Sequence, residues 1–261
     1  MNTNNDGKVA VPKGQSSQAR SSGVIVNPTT ALATAVSCRE KEVVKLLLST
    51  GVDVNGDENN KCTPLHCAAI EGQVEIARLL IDAGADLEAI GSEGKTPLQT
   101  AIFHEKHRVA VCLIDSGADV NNSGVPRFEG FRTLSPLRMA VSSKGTRCLK
   151  IAQRLLEAGS IVNESPRSAL MSAVANGSIE MVAALLKAGA EVNVVDEHGW
   201  SPLMYAASSN RADSVKLLLD RNADGSVRLP PRDPDFANLT AFEIAKAKNN
   251  RAVLKTLKRD V

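Results

Sequence analysis

The dipeptide Thr63-Pro64 returns 33 residues later as Thr96-Pro97, and each opens a segment that closes in Gly84 or Gly117 followed by Ala-Asp. A repeat of this length constrains the fold before any motif is weighed. Self-similarity at roughly 20 to 50 residues marks supersecondary units that cannot bury their apolar faces alone and must stack. Aligning on the opening Thr or Ser gives Thr30, Thr63, Thr96, Ser135, Ser168, Ser201 and Thr240, seven units over residues 27–261. Five residues on from each stands an alanine: Ala35, Ala68, Ala101, Ala140, Ala173, Ala206 and Ala245. Four residues before each closing Gly or Asn stands a leucine: Leu47, Leu80, Leu113, Leu155, Leu185 and Leu218. A column without bulk facing a column of large apolar residues is what a close-packed, continuous core requires.

The punctuation of one unit predicts two helices. Thr63 or Ser201 can accept a hydrogen bond from a free backbone N–H, and the proline that follows has a helix-compatible φ where no N–H partner is lost. A first helix therefore starts there. Glu71-Gly72-Gln73 breaks it, and Val74 to Leu80 carries the 3.6-residue apolar spacing of a second helix. That helix is expected to stop at Gly51, Gly84, Gly117, Gly159, Gly189 and Asn222, residue types that tolerate a left-handed backbone.

Thr63-Pro64-Leu65-His66-Cys67-Ala68-Ala69 together with Gly84-Ala85-Asp86 resembles the ankyrin repeat, and the resemblance covers about nine-tenths of the chain. It implies an all-α solenoid: an ankyrin-repeat stack of antiparallel helix pairs joined by β-turns or hairpins that project to one side. It also implies a structural role for His66, with its ring bonded to nearby turn groups.

Composition narrows the function. With 31 basic and 29 acidic side chains the formal net charge is +2, too small to argue for nucleic acid or an anionic membrane. Five cysteines form an odd set without a disulfide-like framework, and no signal-peptide core is visible, which predicts a reducing, cytoplasmic setting with the nucleus also open. Apolar runs such as Met181 to Leu186 fall far short of the roughly 18 residues that span a membrane. Residues 1–26, polar and without period, are expected to be a disordered tail.

Departures from the repeat carry more functional information than matches. An insertion at 122–134 holds Arg127, Phe128, Phe131 and Arg132, and the two rings could fold back on neighbouring units or form a contact surface. A second, at 225–239, holds Leu229-Pro230-Pro231-Arg232-Asp233-Pro234 and reads as a spacer or, less simply, a Pro-rich ligand. The fourth unit is three residues longer before its Gly159, which suggests a longer inter-helix turn around Ser142 to Arg147. The seventh unit, Thr240 to about Leu257, reads as a cap with a polar outer face.

No phosphate-binding glycine loop, nucleophile elbow or carboxylate pair is present, so the chain is not expected to be an enzyme or to need a cofactor. Neither His104 with His107 nor Cys62 with His66 and Cys67 completes a four-ligand metal set. What remains is recognition. The resemblance places partner contacts on the concave face, built from turn tips and the ends of the first helices. Phe103, His104, Arg127, Phe128, Phe131, Arg132, Glu197, His198 and Trp200 are the candidate partner-binding residues, in units three to six. Trp200 has an open alternative, packing on the next hairpin. The expected partner is one or more proteins, bound by a monomer that acts as adaptor or scaffold, or else as a stoichiometric inhibitor of an enzyme or transcription factor. Similarity to substrates of an asparaginyl hydroxylase also marks Asn55, Asn121 and Asn193 as modification candidates ahead of Asn163, with bonding of the amide to its own turn as the plainer role.

Overall fold

The computed structural model describes residues 28–56, 62–125, 134–143, 146–164, 168–231 and 235–258. The N-terminal tail and Arg127, Phe128, Phe131 and Arg132 lie outside them. Among the described residues fourteen helices form seven helix–turn–helix pairs, and there is no strand. The first helices are α1 (Pro28–Ser37), α3 (Pro64–Glu71), α5 (Pro97–Phe103), α7 (Pro136–Ser142), α9 (Ala169–Asn176), α11 (Pro202–Ser208) and α13 (Ala241–Ala247). Their partners are α2 (Lys41–Ser49), α4 (Val74–Asp82), α6 (His107–Asp115), α8 (Thr146–Glu157), α10 (Ile179–Lys187), α12 (Ala212–Leu219) and α14 (Arg251–Leu257).

The local chemistry is repeated from unit to unit. Thr63, Thr96, Ser135, Ser168, Ser201 and Thr240 each cap a first helix by accepting the backbone N–H three residues on. One orphan donor is thereby satisfied per helix. Behind the second helices, Gly84 at φ +88° and Asn222 at φ +61° turn the chain out of the helix in the left-handed region. First helices contact the first helices of adjacent units, and second helices contact second helices, which makes a two-layered stack. All seven alanines of the small column are buried, as are Leu80, Leu113, Leu155, Leu185 and Leu218. Leu47, in the first unit, is only half-buried because one side of that unit has no described neighbour.

The first unit departs from the pattern of the others: helix α1 begins at Pro28, so Thr30 lies inside it and does not cap it. Two expectations need correction. The fourth unit's extra residues do not lengthen its turn; they extend α8 to 12 residues, against seven to nine in the other second helices. A helical residue satisfies its own backbone groups and a loop residue does not, which favours the extension. The second insertion is more than a spacer. Leu229 is 1% exposed in the core, and its N–H donates to Leu239 O at 3.1 Å while Asn238 N–H donates to Leu229 O at 3.2 Å. That loop is closed on itself and anchored.

Candidate functional site

Phe103 ends α5 and is 55% exposed, a large ring kept out of the core by its place on the helix. Lys95, on the turn before α5, holds its Nζ 4.4 Å from the ring centroid, and His104 meets the ring edge-on at 5.2 Å. Glu93 Oε2 accepts from Lys95 Nζ at 2.6 Å, which steadies the ammonium over the ring. Glu93, Lys95 and His104 line a cleft together with Cys62, Ile70 and Ser92, with His66, Gly91 and Thr100 beneath. Turn tips thus meet the first helices as the resemblance implied. Beside the cleft stands an exposed aromatic, the residue type among these that is enriched where proteins meet.

His66 forms the floor of that cleft and is 2% exposed. Its Nε2 donates to Lys95 O at 2.9 Å, so Nδ1 is left to accept from Thr63 Oγ1 at 2.8 Å. Burial lowers its pKa below the ordinary imidazole value, against smaller raising effects from the Lys95 carbonyl and Asp86. Both ring nitrogens are spent on the turn, so the structural role expected of His66 is what the geometry gives. Gln99 does the same work one unit on: Oε1 accepts from Thr96 N at 2.9 Å and Nε2 donates to Leu134 O at 2.9 Å.

Trp200 takes the packing alternative. It is half-buried against the core, with its ring 5.3 Å from that of Tyr205 and 5.7 Å, edge-on, from Phe236 in the second insertion. Beneath it lies Asp196, which the sequence reading missed. The Asp196 carboxylate accepts from His198 N and Trp200 N at 2.9 Å and from the Tyr205 hydroxyl at 2.7 Å. Glu197 and His198 are exposed at the tip above this knot. In the stack, α7 and α9 stand between α5 and α11, so the candidate residues form two separate groups. The first is Phe103 with His104; the second is Glu197, His198 and Trp200.

Asn55, Asn121, Asn163 and Asn193 bond across unit boundaries, which turn chemistry alone does not foresee. Their Oδ1 atoms accept from Asp86 N, Ile161 N, Glu191 N and Asp224 N at 2.7, 2.8, 2.9 and 2.8 Å. Between the second and third units Glu88 takes over, with Oε1 accepting from Asp119 N at 2.8 Å. Each amide is a staple between units, and the backbone N–H of Asn55 and Asn121 also closes a local turn onto Asp53 and Asp119.

Among the described residues no group of three His, Cys, Asp or Glu could hold a metal ion, and no helix is long and apolar enough to cross a membrane. His104 and His107 line a shallow cleft with Lys106 and Arg108 at the start of α6.

Comparison with known proteins gives the same picture as the geometry. A family described as Ankyrin repeats matches in three copies, at residues 10–91, 57–124 and 137–228. The crystal structure of the ankyrin repeat domain of Bcl-3, titled a unique member of the IkappaB protein family, is similar at TM-score 0.72 and 30% identity, covering 88% of this chain and 98% of that one. A chain in the complex of a predatory endopeptidase from Bdellovibrio bacteriovorus with immunity protein Bd3460 is similar at TM-score 0.62 and 25% identity, covering 73% and 97%. Ankyrin repeat, SAM and basic leucine zipper domain-containing protein 1 of Neofelis nebulosa is 39% identical over 68 residues, 26% of this chain and 14% of the relative. This chain spans less than one fifth of the length of the first curated relatives it matches, 19% and 14%.

Proposed function

Because the chain belongs to the ankyrin-repeat family, we propose that it is a non-catalytic protein-binding module, an adaptor or scaffold of the cytoplasm or nucleus that acts as a monomer. The observation that carries this reading is Phe103, exposed under the cation of Lys95 and against His104, two residues that line a cleft. An apolar ring of that size left in water costs solvation free energy that a partner's pocket recovers. Glu197 and His198 supply a second, polar contact three units along, with Trp200 as their support.

A second reading, occlusion of an enzyme or transcription factor, draws on the likeness to a chain in the endopeptidase–immunity protein complex. The two readings share one surface and differ in outcome. Affinity capture from cell extract with wild-type and Phe103→Ala protein, read by quantitative mass spectrometry, tests the surface. Specific partners should drop at least several-fold on Phe103→Ala while thermal unfolding stays within a few degrees. An identical partner set would refute the assignment. Assaying the captured partner free and bound then separates adaptor from inhibitor.

A further inference from the structure

Cys62 and Cys67 flank the start of α3, and their Sγ atoms are 3.8 Å apart. Position brings them together. With Thr63 as the N-cap, Cys62 stands just before the cap and Cys67 four residues after it. Side chains at those two places pack on each other and fix the angle at which the chain enters a helix. In the sixth unit the same places hold Trp200 and Tyr205, whose rings meet at 5.3 Å. Any apolar pair can serve there, but two thiols can also form a bond.

The pair is differentiated. Hydrogen bonding to Cys62 lowers the Cys67 thiol to about 7, helped by the Ser37 side chain and opposed by burial and by Glu71. The same contact raises Cys62, and burial and Glu93 push it the same way. One sulfur is thus disposed to be thiolate at neutral pH and the other to keep its proton, which is the division between an attacking and a resolving cysteine. Both are half-buried, whereas Cys38 is exposed and Cys112 and Cys148 are buried.

We propose that Cys62 and Cys67 form a peroxide-responsive modification site, in which an intrachain disulfide closes across the start of α3 and a thiol reductant reopens it. Cys67 Sγ attacks one oxygen of hydrogen peroxide; an S–O bond forms, the O–O bond breaks and hydroxide leaves, giving the sulfenic acid. Cys62 Sγ then attacks the Cys67 sulfur. The S–S bond forms, the S–O bond breaks, and the hydroxyl departs as water with the proton of Cys62. The first hydroxide takes up the proton that Cys67 lost on ionising. Two thiols are oxidised by two electrons in total, and one peroxide becomes two waters. The sulfurs must close from 3.8 Å to about 2.05 Å to form the bond. Cys62 lines the cleft beside Lys95 and His104, so the bond would also change the surface of that cleft.

The test uses the full, reduced chain, treated with hydrogen peroxide at neutral pH, alkylated, digested with trypsin and weighed. Cleavage after Lys61 and Arg78 puts both cysteines in one peptide, 62–78. That peptide should lose two hydrogens and resist alkylation, and dithiothreitol should restore it, while Cys38 stays mostly alkylatable. Cys62→Ser, which keeps a hydroxyl donor for Cys67 but has no resolving sulfur, should accumulate a sulfenic acid on Cys67 that a 1,3-dicarbonyl reagent traps; Cys67→Ala should leave Cys62 unoxidised. Circular dichroism checks that both variants fold, and if either does not, the wild-type peptide alone decides. Oxidation of Cys38 ahead of the pair, gain of oxygen without the disulfide, or equal oxidation of Cys62 in Cys67→Ala would each overturn the proposal.

Discussion

His66 shows what a single residue contributes here. Its two bonds tie the cap of its own helix to the turn before the next, and Gln99 makes the equivalent pair of bonds. His66→Gln should therefore stay within about 1 kcal/mol of wild type at pH 7.5, whereas His66→Ala, which removes both bonds and leaves the Lys95 carbonyl with only the Gly91 N–H, should cost about 1–3 kcal/mol. The pH dependence follows from the lowered pKa. The unfolded chain, with an imidazole near pH 6.5, takes up the proton first, so the contribution of His66 is complete above that pH and is lost as pH falls toward the folded pKa. Urea midpoints at pH 7.5 and 5.0 should fall further for wild type than for His66→Gln; equal losses would contradict the account. His66 was legible in the sequence because its motif carries its role. Asp196 was not, since nothing in a local pattern says that a carboxylate will gather two backbone N–H groups and a hydroxyl nine residues away. Trp200 was half legible: its place on a tip was plain, but its neighbour Phe236 lies in an insertion that has no period.

At the scale of elements the repeat gave the helices and their caps, because capping residues and apolar spacing are local and recur from unit to unit. It gave less at the breaks in period. Nothing in Ser142 to Arg147 distinguishes a long turn from the longer α8 that forms, and Leu229 offers no neighbours in sequence to mark it as core. Leu229→Ala should cost about 2–4 kcal/mol, as for a buried leucine, where a spacer residue would cost almost nothing. Asn121→Ala should cost about 1–2 kcal/mol by leaving Ile161 N without its acceptor between the third and fourth units. Denaturant titration of the two variants measures both, and values near zero would mean that the loop and the staple contribute no net stability.

Across the whole molecule, stability is a sum of unit and neighbour terms, and the surface is free to vary wherever the columns and caps are kept. The seventh unit fits this: Val253 and Leu257 of α14 are buried, while Arg251, Lys255 and Lys258 face water. Phe103 departs from that economy, since neither column nor cap requires an exposed ring there. The central claim is that this ring and its cleft bind a partner protein. Calorimetric titration of a captured partner into wild type, Phe103→Ala and Leu46→Ala tests it most directly, Leu46 being a 65% exposed apolar residue on the far layer of the first unit. Loss of about thirtyfold in affinity, the equivalent of about 2 kcal/mol, is predicted for Phe103→Ala alone. Unchanged affinity in Phe103→Ala, or an equal loss in Leu46→Ala, would contradict the claim.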